Sequence, residues 1–270
     1  MATTQAKTAE GEALDAGLRL VVPGKATPAS AGWEWIAGGW QLFVRAPLMW
    51  IISLVILFVI AIVLAFIPFL GSLAFQVMQS VFAGGLVAAC RNIERGGDFE
   101  LEHLFAGFKV RFVPLLIVGL IFLAACLVLM LMFFAVAGLS LIPAFLTGDS
   151  EAVSAAMAGS IILILLASLV LLALFVPVVA AYWFAPALVM MHDMPPIDAM
   201  KASFHACFRN FVPFLLYGLV MSVGFIIAMI PFGLGMLVWV PVAIASTYVG
   251  YRQIFTEEAA AAPARPAMVQ

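Results

Sequence analysis

The groups in this sequence that could do chemistry are three histidines, three cysteines, a few amides and a set of basic residues, and their spacing limits what that chemistry is. To hold a metal, His103, His192 and His205 would have to converge with a carboxylate such as Asp193 or Glu102. No H-x₃-H or HExxH pair places two imidazoles on one helix face, and solvated histidines at a membrane surface are the ordinary alternative. Cys90, Cys126 and Cys207 form no CxxC pair, and Cys126 lies within an apolar run where it acts as a small hydrophobe. Neither a zinc site nor a disulfide framework is expected. Met190, Met191 and Met194 beside His192 could form a soft ligand set, but methionine is also common filler at a helix end.

Gln76, Gln79 and Ser80 share one otherwise apolar run ahead of Gly84-Gly85. They could line a solute path, or they could serve hydrogen bonding and close packing between helices. Arg45, Arg91, Arg95, Lys109, Arg111, Lys201 and Arg209 could hold lipid phosphates, because a guanidinium pairs with phosphate through two parallel hydrogen bonds. The alternative for this set is topology and anchoring, which need no ligand. Glu94, Asp98, Glu100 and Glu102 interleave with it and dilute the charge, so nucleic acid is not an expected partner.

Ionisable groups are missing from the central turns of every long apolar run. Ion-coupled transport and intramembrane proteolysis both need such groups, so no catalytic residue, metal or cofactor is expected. The elements that must position the candidate residues follow from composition. Of 270 residues, 66% are hydrophobic and 10% charged, far from the roughly 45–50% and about 25% of soluble domains. Lipid accepts apolar surface on all sides of a helix, so the class is a membrane protein, all-α and polytopic.

Runs near the length of about 20 residues needed to cross hydrocarbon fall at 48–67, 73–90, 112–134, 161–189, 214–230 and 236–251. The stretch 152–191 is read as one span that begins near Gly159 and bends at Pro177, and a seventh span is the alternative. Residues 1–31 and 256–270 read as disordered cytoplasmic tails around a six-span domain at 32–255. Residues 1–30 have no apolar core of the secretory kind.

The spans form a pattern. FVPLLIVGL at 112–120 returns as FVPFLLYGL at 211–219, each after a basic residue, and Arg45-Ala46-Pro47 opens the first span in the same way. Ile67-Pro68-Phe69, Ile142-Pro143-Ala144 and Ile230-Pro231-Phe232 read as hairpin corners. Before each basic residue lies a short amphipathic segment, with apolar residues Trp33, Ile36, Trp40 and Phe43, then Leu101, Leu104, Phe105 and Phe108, then Ile197, Met200, Phe204 and Phe208. Three repeated hairpins, each led by an interfacial helix, are expected. With six spans every lysine and arginine lies on one side and only Asp149 and Glu151 on the other, which places both termini in the cytoplasm of a bacterial inner-membrane protein.

Trp183-Phe184-Ala185-Pro186-Ala187-Leu188-Val189, followed by Asp193 and then Ala199-Met200-Lys201-Ala202-Ser203, resembles the signature of a group of uncharacterised bacterial inner-membrane proteins. These are akin to the membrane domain attached to some glycerophosphodiester phosphodiesterases. The resemblance covers roughly 32–255 and implies six spans. It carries over no catalytic residue, because those relatives keep catalysis in a separate soluble barrel. The expected function is that of a non-enzymatic inner-membrane protein that binds lipid or organises membrane, alone, as a homo-oligomer or with a membrane partner. A transporter or channel for an apolar or amphipathic solute is the alternative.

Overall fold

Hydrocarbon contains no water, so a crossing segment must satisfy its backbone N–H and C=O groups within itself, and the apolar runs fold as helices for that reason. A computed structural model describes residues 18–146 and 150–258. Strand β1 (Leu18–Leu20) leads to α1 (Ala31–Arg45), α2 (Pro47–Ala65), α3 (Leu70–Glu94), α4 (Leu101–Leu104) and α5 (Ala106–Val110). There follow α6 (Phe112–Leu146), α7 (Ser150–Trp183), α8 (Ala185–His192), α9 (Pro196–Arg209), α10 (Phe211–Met229), α11 (Met236–Phe255) and β2 (Thr256–Glu258). The fold is an all-α polytopic bundle. Helices α2, α3, α6, α10 and the segment Gly159–His192 are each long and apolar enough to cross a bilayer. Helix α11 falls below that measure, since its last turn carries Arg252 and Gln253.

The core occupies one end. Its buried side chains come from the first turns of α2, α6 and α10 (Trp50, Leu115, Tyr217) and the last turns of α3 and α11 (Ile93, Ile254, Phe255). Helices α1, α4, α8 and α9 lie among them and contribute Trp35, Leu104, Leu188 and Ala206. Away from this end the helices face outward, and residues 161–176 of α7 are exposed or half-exposed throughout. Lipid is the solvent that makes such a surface stable.

Two expectations are corrected, the third corner and the extent of the N-terminal tail. The apolar stripes of the amphipathic helices divide between the bundle and the outside, with Ile36, Phe43 and Leu104 buried. In α1 the buried face is Gly32, Trp35, Ile36, Gly39, Leu42 and Phe43, whereas Trp33 and Trp40 point outward. In α9 the buried face is Ala199, Ala202, Ser203, Ala206 and Cys207, whereas Ile197 and Phe208 are exposed. Small residues let backbones approach closely, which is what drives helix association in lipid.

The corner expected at Ile142-Pro143 is not one, because α6 continues through it to Leu146. The two true corners place Phe69 and Phe232 at φ 59° and 54°, and a glycine (Gly71, Gly233) stands within two residues of each. After Pro143 the next glycine is Gly148, which lies outside the described residues. The fourth span begins at Gly159 as expected, inside a helix α7 that starts at Ser150 and continues through Pro177; the break comes at Phe184.

The N-terminal tail is also shorter than expected. Residues 18–20 pair antiparallel with 256–258, Val21 N–H donates to the Phe255 carbonyl at 2.8 Å, and Lys25 N–H donates to that of Ile254 at 2.9 Å. A strap at 18–30 thus binds the far end of the chain.

Candidate functional site

Each span that leaves the core end starts from one non-helical residue. These are Ala46 (φ −145°, ψ 54°), Arg111 (φ −137°, ψ 38°) and Asn210 (φ −108°, ψ 34°). Each junction carbonyl accepts from the N–H four residues on, at Trp50, Leu115 and Phe214, and all three distances are 3.1 Å. Pro47, Pro114 and Pro213 fall in the first turns, where a missing N–H has no intrahelical partner to lose.

The arginine at each junction acts as a tether to another element. Arg45 donates to the Ile93 carbonyl at 3.1 Å, Arg209 to the Gly24 carbonyl at 3.1 Å, and Arg111 pairs with Asp193 at 2.8 Å. A guanidinium has five N–H groups, so each tether leaves donors over.

Of the other basic candidates, Arg91 sets one nitrogen 3.6 Å from the Met191 sulfur, which brings Arg91 and Arg111 to the same end of α8. Arg95 is half-buried at the C-cap of α3. Lys109 pairs with Glu102 and holds that carboxyl below the usual carboxylate range. Lys201 lies 3.8 Å from Asp198, an exposed pair of little energetic weight. Arg45, Lys109, Lys201 and Arg209 are exposed.

The histidines are placed apart. His103 joins a capping box with Glu100, and His205 Nδ1 is 2.7 Å from the Lys201 carbonyl. His192 Nε2 lies 2.5 Å from the Tyr251 hydroxyl. No three His, Cys, Asp or Glu side chains converge among the described residues. His192 and Tyr251 line a polar cavity of about 200 Å³ with Arg91, Met191, Tyr248, Arg252 and Thr256. Beside it, Glu94 accepts from Tyr248 at 2.6 Å and from Arg252 at 2.7 Å. The ends of α3, α8 and α11 meet here, and cationic side chains at helix C-termini offset the partial negative charge of exposed carbonyls.

Gln76, Gln79 and Ser80 diverge. Gln79 is exposed, Gln76 half-buried, and Ser80 fully buried with its Oγ 2.6 Å from the Leu115 carbonyl and 2.8 Å from that of Val77. Ser80 therefore belongs to the α3–α6 contact. Two cavities at membrane level are apolar. One, of about 460 Å³, lies between α6 and α7 and is lined by Cys126, Met130, Phe133, Ser168 and Leu172 among others. The second, of about 390 Å³, lies where α7, α9 and α10 meet and is lined by Phe175, Val179, Trp183, Phe208, Phe211 and Leu215 among others.

Two residues hold these elements in place in ways that sequence patterns do not show. The Phe184 N–H donates to Ser203 Oγ at 2.9 Å, and that hydroxyl donates to the Ala180 carbonyl at 2.6 Å. The side chain of α9 thus stands inside the i→i−4 ladder of α7, and a group inserted there is a recognised cause of a helix break. Asn210, 1% exposed, accepts from the Thr27 N–H and hydroxyl at 2.7 and 2.9 Å and donates to the Lys25 and Ala206 carbonyls at 3.0 and 2.9 Å. The motif Ala199-Met200-x-x-Ser203 marked Ser203 as notable, but only the fold shows what the hydroxyl touches.

Fold and site together define a multi-pass helical membrane protein with its polar contacts gathered at one end. Over 268 residues the chain is 29% identical to a protein of Burkholderia thailandensis named as a probable inner membrane protein, an alignment covering 88% of this chain and 96% of the relative. No family model and no solved structure matches the chain. The link to phosphodiesterase-attached membrane domains rests on the motif alone.

Proposed function

We propose that the chain is a non-enzymatic protein of the bacterial inner membrane that binds anionic phospholipid headgroups at its cationic end and organises the membrane around it. In this reading it crosses six times, in three repeated hairpins, with both termini cytoplasmic. The relative's name supports the location. The observation that carries the reading is the shared backbone geometry of three junctions, each with an arginine at the level where an apolar, outward-facing helix begins. That is the headgroup level of a bilayer, where a guanidinium meets phosphate. The apolar lining of the membrane-level cavities and the burial of Ser80 between α3 and α6 favour lipid over a solute path.

The test is the phospholipid that stays with the protein through mild-detergent purification, quantified by mass spectrometry. Phosphatidylglycerol should be enriched over its share of the bulk membrane. Combined Arg45→Gln, Lys201→Gln and Arg209→Gln should return it to that share, since each basic residue near an anionic surface is worth about 1 kcal/mol. A wild-type protein carrying lipid in the bulk ratio would remove the reading.

A further inference from the structure

The apolar cavity of about 390 Å³ where α7, α9 and α10 meet differs from its neighbour between α6 and α7 in what stands beside it. Along α7 its lining runs from Phe175 to Trp183, about 12 Å at the helical rise, inside the half of the bilayer nearest the core end. Val176, Val179 and Ala180 form its floor, and Phe208, Phe211, Phe214 and Leu215 its other wall. Nearly all of that surface is apolar, and its volume lies in the range of roughly 300–1,000 Å³ typical of ligand pockets.

Cationic residues stand beside it on α9. Lys201, His205 and Phe208 recur at four- and three-residue spacing and so share one face of α9; all three are exposed. Arg209 follows Phe208 and is exposed, with one N–H committed to the Gly24 carbonyl and four remaining. Asp198, 3.8 Å from Lys201, is the acid nearest this face. Neither apolar cavity has a basic residue in its lining; what sets this one apart is that Arg209 is next to Phe208 in the chain and Lys201 lies two turns back on the same face of α9.

We infer that this groove is a specific lipid site. It takes one acyl chain of an anionic glycerophospholipid against Val179, Trp183 and Leu215, with the phosphate between Lys201 and Arg209. An apolar lining with basic residues beside it on α9 follows the order of such a molecule, chain and then phosphate. The inference rests on the lipid-binding reading and makes it specific by naming the chain's seat as well as the phosphate's.

The experiment uses full-length protein in nanodiscs doped with phosphatidylglycerol carrying a diazirine at mid-chain, and in parallel the same chain on phosphatidylcholine. After irradiation, adducts should concentrate on peptides 175–183 and 207–215, relative to 126–134 and 161–172, and phosphatidylglycerol should give more of them. Val179→Phe with Leu215→Phe fills the groove and should abolish the adducts. Lys201→Gln with Arg209→Gln changes only exposed side chains. It should leave acyl adducts in place and erase the preference for phosphatidylglycerol, a loss of roughly tenfold to thirtyfold in relative affinity. Adducts spread evenly over 126–134, 161–172 and 175–183, or a preference that survives the charge variant, would overturn the site. If purified wild-type protein retains enriched phosphatidylglycerol while the groove stays unlabelled, the groove fails and the broader lipid reading stands. If neither enrichment nor labelling is found, both fail.

Discussion

Ser203 holds its hydroxyl where the α7 ladder would otherwise close on itself, accepting from Phe184 and donating to Ala180. Replacing it by alanine opens a space into which the backbone can relax, so that the Phe184 N–H reaches the Ala180 carbonyl directly, at a cost of about 1 kcal/mol. Valine is one carbon larger and offers no hydrogen bond, so it crowds the site and leaves a buried donor and acceptor unmet, each at about 1–3 kcal/mol. Thermal unfolding in mild detergent should rank wild type above Ser203→Ala and Ser203→Ala above Ser203→Val. Equal melting for the two variants would remove the bridging role. Asn210 is the second such residue, with both donors and both acceptor positions used at 1% exposure. Asn210→Leu deprives Thr27 and Lys25 of their partners and should release the strap while the spans persist. Limited proteolysis should then cut within 21–30 faster than in wild type, at unchanged helicity. A strap equally resistant in the variant would show that β1–β2 pairing and the bonds of Val21, Gly24 and Lys25 hold it without Asn210.

Helix α1 is wedged between α10 and α11 by what its side chains lack. A Cβ on Gly32 would stand 2.3 Å from the Pro213 carbonyl oxygen, and one on Gly39 would stand 2.4 Å from Ser246 Oγ. Gly39→Ala must push the helix outward, an overpacking cost of about 1–3 kcal/mol. Gly218, in α10, has nothing within 4 Å of its added Cβ. Gly218→Ala should therefore be neutral or stabilising by up to about 1 kcal/mol, since alanine is the better helix former. Equilibrium unfolding of the two variants checks the difference, and equal destabilisation would mean that α1 is not so tightly held. The same glycines explain what could be read in advance. Apolar runs near 20 residues located the spans, because length and hydropathy are all that hydrocarbon demands. Prolines and basic residues located the junctions. The short amphipathic segments were legible as helices, but not which of their residues meet the bundle: Trp33, Trp40, Ile197 and Phe208 point outward, whereas Trp35, Ile36 and Phe43 and the small residues Gly39, Ala202 and Ser203 face protein. Ser203 and Asn210 were hidden for a different reason: their partners lie 19 to 23 and 183 to 185 residues away, beyond any local pattern.

At the scale of the molecule, the strand pair β1–β2 constrains the path of the whole chain. Leu18 faces Glu258 and Leu20 faces Thr256, so the two ends of the described chain are on one side of the bundle. Five helices pass a length-and-hydropathy test for crossing, and an odd number of crossings would leave the ends on opposite sides. The six-span reading proposed above meets the parity by making α11 the remaining crossing: it follows the Phe232 corner and ends at the strand that meets β1. In the proposed orientation the cationic residues at the junctions of α2, α6 and α10 lie with those ends on the cytoplasmic side, as the positive-inside rule expects. Reporter fusions can decide this. A reporter active only in the cytoplasm should work when fused to either end of the full chain. One active only outside the cytoplasm should work when inserted at Phe69, at 147–149 or at Phe232, and fail at 96–98. Activity of opposite kinds at the two ends would break the parity, and with it the assignment of α11 as a span. The same activity at 96–98 as at Phe69 would show that α3 does not cross.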